Sequence, residues 1–208
     1  MLETSNLNFS YESNTTFSFP DLNLQEGEHL VILGESGIGK TTLLHLLAGL
    51  QRPHEGKVIV RSTDLSSLKA RELDHFRGKN IGIVFQKPFF IQALTVMQNL
   101  LMIQKLSGSK KDQKRIETVL NEVGLMEKAH KYPKLLSEGE QQRVSIAMAV
   151  INRPNLILAD EPTSSLDDTN TERVLQLLIQ EADRNKANLV LITHDHRVKK
   201  AFDNYVQL

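Results

Sequence analysis

The sequence predicts an α/β fold: a mostly parallel sheet with helices on both faces, preceded by an antiparallel β element and interrupted by a helical insertion. Three observations carry this. Five short, continuous apolar runs are bounded by polar residues, as expected of strands covered on both faces. Longer segments of helical pattern separate them, and such alternation marks a parallel sheet. The stretch 87–135 breaks that rhythm, offering helical patterns with no convincing strand.

Taken in order, the first 25 residues contain "LNFSYESNTTFSFPDL", which alternates like a separate antiparallel element with a turn near Ser13–Asn14. "HLVILG" (29–34) is the first apolar strand, and a helix is expected over Lys40–Leu50. "KVIV" (57–60) follows, then a helix over Leu65–Phe76 and the strand "NIGIVF" (80–85). The helical subdomain occupies about 87–150 and includes helices over Asp112–Val123 and Glu138–Asn152. "NLILAD" (155–160), a helix over Asn170–Asn185 and "NLVLIT" (188–193) close the pattern. "NYVQL" ends the chain just past the last expected strand, with no regulatory domain expected after it. No internal repeat is present, and residues 1–208 read as a single domain.

Composition excludes several classes. Lysine plus arginine equals aspartate plus glutamate, 25 each, so no global charge draws the protein onto nucleic acid or lipid. Cysteine is absent, which excludes disulfides and cysteine metal sites and suits a reducing cytosol. The polar start "MLETSNLNFSYES" lacks the pattern of a signal peptide. No apolar run approaches the roughly 20 residues of a membrane helix. A soluble, cytoplasmic chain is expected, with any membrane role exercised through a partner.

The strongest chemical signal is "GESGIGKTT", Gly34, Glu35, Ser36, Gly37, Ile38, Gly39, Lys40, Thr41 and Thr42. It fits G-x-x-x-x-G-K-[ST], follows a strand and opens a helix, the context that identifies a P-loop NTPase core. The glycines let backbone N–H groups turn inward around phosphate oxygens, and the helix start adds the positive end of its dipole. Lys40 is expected to reach the β and γ phosphates and the Thr41 hydroxyl to bind Mg²⁺. A P-loop also needs a metal-holding acid at another strand end. "NLILADEP" supplies Asp160 for the metal and Glu161 to polarise an attacking water.

From Gly34 to His194 the chain resembles the nucleotide-binding subunits of ABC transporters. Gln86 in "IVFQ" stands where that family has its Q-loop glutamine, a γ-phosphate sensor that also serves the metal. "SSLD" (164–167) matches the D-loop and brings Asp167 to the nucleotide, and His194 in "LITHD" matches the switch histidine. Tyr11 is the candidate for the aromatic that stacks on adenine, with Phe9 and Phe17 as alternatives. "LSEGE" (136–140) matches the signature motif, usually Leu-Ser-Gly-Gly-Gln, which closes over the ATP of a second subunit. The resemblance thus implies ATP and Mg²⁺, a homodimer sandwiching two nucleotides, and Ser137 and Gly139 contacting the partner's γ-phosphate. It also implies an integral membrane permease as partner, holding this chain at the inner face of the cell membrane.

Two departures stand out. Glu140 replaces the usual glutamine, and Glu138 replaces a glycine, placing carboxylates near a triphosphate. "LADEPT" and "LSEGEQQRVSIAMA" resemble the lipoprotein-releasing, macrolide-exporting and cell-division type, so a non-transport cell-division ATPase is the alternative. A small P-loop kinase has no use for "LSEGEQQR", "SSLD" and "THD" in that order. DNA-repair relatives need a longer insertion, and translation-associated relatives carry two cassettes. The lysines of 105–134 are interleaved with Asp112, Glu117, Glu122 and Glu127, which reads as a solvated helix face and not a nucleic-acid surface. "QKPFFIQALTVMQNLLMI" (86–103) sets Phe89 and Phe90 between polar residues, the makeup of a docking site for the membrane partner or of a subdomain core.

Overall fold

The computed structural model describes residues 1–11, 16–164 and 168–208, so the turn expected near Ser13–Asn14 lies outside the described residues. In chain order the elements are β1 (Leu2–Ser10), β2 (Thr16–Ser18), β3 (Asn23–Leu24), β4 (His29–Leu33), α1 (Lys40–Leu47), β5 (Glu55–Val60) and β6 (Thr63–Asp64). They continue as α2 (Ala70–Asn80), β7 (Ile81–Val84), α3 (Val96–Leu106), α4 (Gln113–Glu122), α5 (Glu138–Val150), β8 (Leu156–Asp160), α6 (Asp168–Asn185), β9 (Asn188–Thr193) and β10 (Tyr205–Gln207).

Two sheets result. The parallel sheet runs β10-β4-β9-β8-β7, and the antiparallel sheet runs β2-β1-β5-β6 with β3 also on β1. The mostly parallel α/β core and the N-terminal antiparallel element both agree with the sequence expectation. Along β4, Leu30 and Ile32 belong to one core while Val31 and Leu33 belong to the other. The same alternation holds for Val190 and Ile192 against Leu189 and Leu191 in β9. These strands are unbroken apolar runs because both faces are covered: one by α1 and the antiparallel sheet, the other by the helices from α3 to α6.

Residues 57–60 are corrected by the structure. They lie in β5, antiparallel to β1 with Leu2 opposite Val60 and Thr4 opposite Val58, and not in the parallel sheet. Val58 and Val60 are buried while Lys57 is exposed, the one-sided burial of an antiparallel strand. Arg61 and Ser62, both at positive φ (48° and 66°), turn β5 directly into β6. A run of three apolar residues is too short to show that alternation.

Helix limits move for local reasons. The first helix ends near Ala48 because Gly49 takes a left-handed φ of 63° and its N–H donates to the Leu46 carbonyl. The helix expected over Leu65–Phe76 is split: Asp64 caps a short 3-10 turn at Leu65–Ser67, and α2 starts only at Ala70. Strand β10, parallel to β4 along Tyr205–Gln207, was not expected from sequence. Gly82 in β7 is required by packing, since a Cβ there would lie 2.2 Å from the Ala149 carbonyl oxygen of α5.

Candidate functional site

Gly34–Thr42 leaves the carboxyl end of β4 and runs into α1. Gly37 and Gly39 take φ of 86° and 104°, which a side chain rarely tolerates, and a Cβ on Gly39 would meet the Phe17 ring at 2.6 Å. Lys40 is buried, and its ammonium donates to the carbonyls of Gly34 (2.7 Å) and Glu35 (2.8 Å), tying the loop across its own mouth. Glu35, Ser36 and Ile38 are exposed, while Thr42 is buried.

The other groups come from neighbouring strand ends. Asp160 ends β8 and accepts a hydrogen bond from the Thr41 hydroxyl at 3.1 Å. Burial pushes the Asp160 carboxyl above its ordinary range, the Thr41 hydrogen bond opposes this, and the adjacent Glu161 charge adds to it. Glu161 has a φ of 46°, in the left-handed region, held by its N–H donating to the Ile192 carbonyl at 2.8 Å. That turn aims its carboxylate at the end of β9. There one oxygen accepts from the Thr193 hydroxyl (2.9 Å), the other from the His194 backbone N–H (3.0 Å) and from Nδ1 of its ring (2.7 Å). Gln86, two residues past β7, donates through Nε2 to the Ser164 hydroxyl at 3.4 Å.

Together Lys40, Thr41, Thr42, Gln86, Asp160, Glu161 and His194 line one cavity of about 340 Å³ with Ser36, Gly37, Gly39 and Phe17. It opens at the carboxyl ends of the parallel strands, where α/β sheets bind ligands. Phe17, and not Tyr11, is the aromatic in the wall, lying parallel to Phe19 at 6.1 Å. Tyr11 stands one bond away: its hydroxyl is 3.0 Å from the Thr42 hydroxyl and its ring meets Phe9 edge-on at 4.9 Å. Ser137 and Gly139 are not brought to this cavity. They form the first turn of α5, where Ser137 caps the helix. Asp167 lies outside the described residues.

Two supports escaped the sequence reading. Ser164 opens "SSLD" and Thr193 lies within "LITHD", but neither hydroxyl has an assigned role there. A hydroxyl directly ahead of the strand-end histidine, and one three residues after the paired acids, were the available signals.

A family model described as "ABC transporter" matches residues 18–164, more than half of the chain. The lipoprotein-releasing system ATP-binding protein LolD of Treponema denticola is 39% identical over 199 residues, spanning 94% of this chain and 88% of that protein. The cell division ATP-binding protein FtsE of Escherichia coli K12 is 41% identical over 174 residues, spanning 83% of this chain and 78% of that one. Among solved structures, the dimeric ATP-binding cassette MJ0796 bound to ADP and Pi matches with a TM-score of 0.90 and 32% identity, covering 100% of this chain and 94% of that chain.

Proposed function

The chain belongs to the ABC transporter family and is an ATPase of that family; from that premise we propose that it works as half of a head-to-tail pair which closes on two ATP molecules and drives a separate membrane-embedded partner. The observation that carries the pairing is the signature turn. Ser137 is exposed, and neither it nor Gly139 lines its own chain's cavity. A Cβ on Gly139 would meet only the Arg143 guanidinium, at 3.9 Å, so nothing within the chain requires glycine there. Glycine in place of alanine costs a helix roughly 0.5–1 kcal/mol. Close approach of a second molecule's phosphate to the bare backbone of this helix N-terminus accounts for it. Glu138 is exposed, where solvent and salt screen its charge. The dimeric MJ0796 cassette supports the same assembly.

In this reading Lys40 exchanges its loop carbonyls for the β and γ phosphates, and the N–H groups from Gly37 to Thr42 surround them. Thr41 and Asp160, already in contact, suit Mg²⁺, which binds through few protein oxygens and keeps water and phosphate as its other ligands. When bound, the ion neutralises charge on the β and γ phosphates. Glu161 takes the proton of the attacking water, and Thr193 and His194 hold its carboxylate in place. Gln86 senses the γ-phosphate from the end of β7. Tyr11 or Phe17 stacks on the base, Phe17 being the ring already in the wall.

The helical insertion, about 87–150 within one domain, is proposed to receive the membrane partner. Phe85, Phe89, Ile103, Leu106, Met148 and Pro154 line a largely apolar groove of about 510 Å³ whose other walls include Asp74 and Arg77. Phe89 is 71% exposed and Leu106 is 73% exposed. No helix among the described residues is long and apolar enough to cross a membrane, so the inner face of the cell membrane is reached through that partner. The likeness to FtsE favours a second reading, a cell-division cassette; identifying the integral protein that co-purifies separates the two.

The test uses two defective subunits. Ser137→Arg and Lys40→Ala proteins are each expected to be inactive, and mixing them creates pairs with one intact site. One ATP held per mixed pair in equilibrium dialysis supports the model. Normal hydrolysis by Ser137→Arg protein alone overturns it.

A further inference from the structure

The first turn of α5 carries two carboxylates, Glu138 and Glu140, at the helix end proposed above to meet a partner's triphosphate. They differ in their surroundings. Glu138 is exposed, whereas Glu140 is fully engaged. One Glu140 oxygen accepts the Ser137 backbone N–H at 2.8 Å, and the Glu140 N–H donates to the Ser137 hydroxyl at 3.3 Å, a reciprocal capping box. The other oxygen lies 3.4 Å from the Lys128 ammonium. The Ser137 hydrogen bond holds the Glu140 carboxyl below its ordinary range, with the Lys128 charge contributing. Lys128 does not come from α5. It sits on the short turn Met126–Lys128, which is fastened to the start of α3 by the Val96 N–H on the Lys131 carbonyl (2.9 Å) and the Met97 N–H on the Ala129 carbonyl (2.8 Å).

We propose that Lys128 is a positioning residue for ATP-driven pairing: it neutralises the Glu140 carboxylate and keeps it turned into the capping box, so that Glu140 adds no uncompensated charge to that of the exposed Glu138 as the phosphate approaches Ser137 and the helix N-terminus. The inference rests on the reading that this turn faces a second subunit's nucleotide. An exposed ion pair of this kind adds little to the stability of a single chain. Its effect emerges when a polyanion approaches. A lone carboxylate a few ångströms from a doubly charged phosphate, in water-like surroundings, shifts an association constant by about tenfold.

The experiment uses the full chain carrying Glu161→Gln, which retains ATP, and follows ATP-dependent dimer formation by analytical ultracentrifugation. Adding Lys128→Met raises the ATP concentration for half-dimerisation about tenfold, while the melting temperature stays near that of the parent. Adding Glu140→Gln as well returns it to within about twofold of the parent, because the carboxylate that Lys128 neutralises is gone. An unchanged half-point in the Lys128→Met protein, or a defect that persists in the double variant, overturns the proposal. Ser137→Arg in the same assay tests the underlying reading. If it dimerises normally, the composite site itself has failed, independently of Lys128.

Discussion

Nδ1 of His194 lies 2.7 Å from Oε1 of Glu161, and the same oxygen also accepts the His194 backbone N–H. A carboxylate only accepts, so Nδ1 carries the hydrogen of this contact. With Thr193 on the second oxygen, the Glu161 carboxylate is held at both ends before any substrate arrives. Glu161→Gln is expected to lower kcat by about 10²–10⁴ while leaving ATP affinity near the parent value, the span of one general base. Single-turnover hydrolysis and sizing chromatography check this, the variant eluting as an ATP-bound dimer. Near-normal turnover removes Glu161 from the catalytic role.

Lys40→Ala removes the cation that now bridges the Gly34 and Glu35 carbonyls. ATP affinity should fall by at least about a hundredfold, since charge-assisted bonds to two phosphates are lost. Fluorescent-nucleotide titration measures it; a loss of under about threefold contradicts the assignment.

The raised Asp160 pKa has two consequences. Between its unfolded and folded pKa values the folded chain binds more protons, so this group's contribution to stability declines as pH rises through that window and remains unfavourable at neutral pH. Asp160→Asn should therefore raise the melting temperature of nucleotide-free protein at pH 7 and have no such effect well below pH 4. Thr41→Val, which deletes the hydrogen bond that opposes the shift, should move the carboxyl still higher in an NMR titration. A downward movement would contradict this account.

Phe89 and Phe90 are adjacent yet placed differently. Phe89 is exposed and meets Phe85 edge-on at 5.3 Å, whereas Phe90 packs against the core formed by the helices. Phe90→Ala is expected to cost about 2 kcal/mol, less than the 3–5 kcal/mol of a fully buried ring, and to lower the melting temperature by roughly 4–8 °C. Phe89→Ala should leave melting and basal ATPase activity nearly unchanged while reducing co-purification with membranes. Early melting of Phe89→Ala, or undiminished membrane recovery, counts against the docking groove.

Sequence legibility follows from physics at each place. Strands β4, β8 and β9 are readable because burial on both faces forces continuous apolar runs. Strand β10 is not, because its residues alternate between exposed and half-buried at the sheet edge and its apolar content is small. The sheet that holds β5 is not readable either, since a short Val-Ile-Val run carries no sign of its partner. At the site, the residues of the P-loop and Asp160 and Glu161 are marked by local spacing. The exchange of hydrogen bonds among Glu161, Thr193 and His194 joins two strand ends that only the fold makes neighbours. Which of Tyr11 and Phe17 enters the cavity wall depends on the register of β1 on β2, with Phe9 opposite Phe17, which the sequence does not give.

Helix α5 has a mechanical consequence. Its first turn holds Ser137 and Gly139, and its far half supplies Ser145, Met148 and Ala149 to the groove beside Phe89. At 13 residues the rod is about 20 Å long, and the absence of a Cβ on Gly82 lets its base rest directly on the backbone of β7. A protein gripping the groove therefore holds the short arm of a lever whose tip carries the signature turn. Tilting the rod by about 10° about that base displaces the tip by about 3 Å, the length of one hydrogen bond.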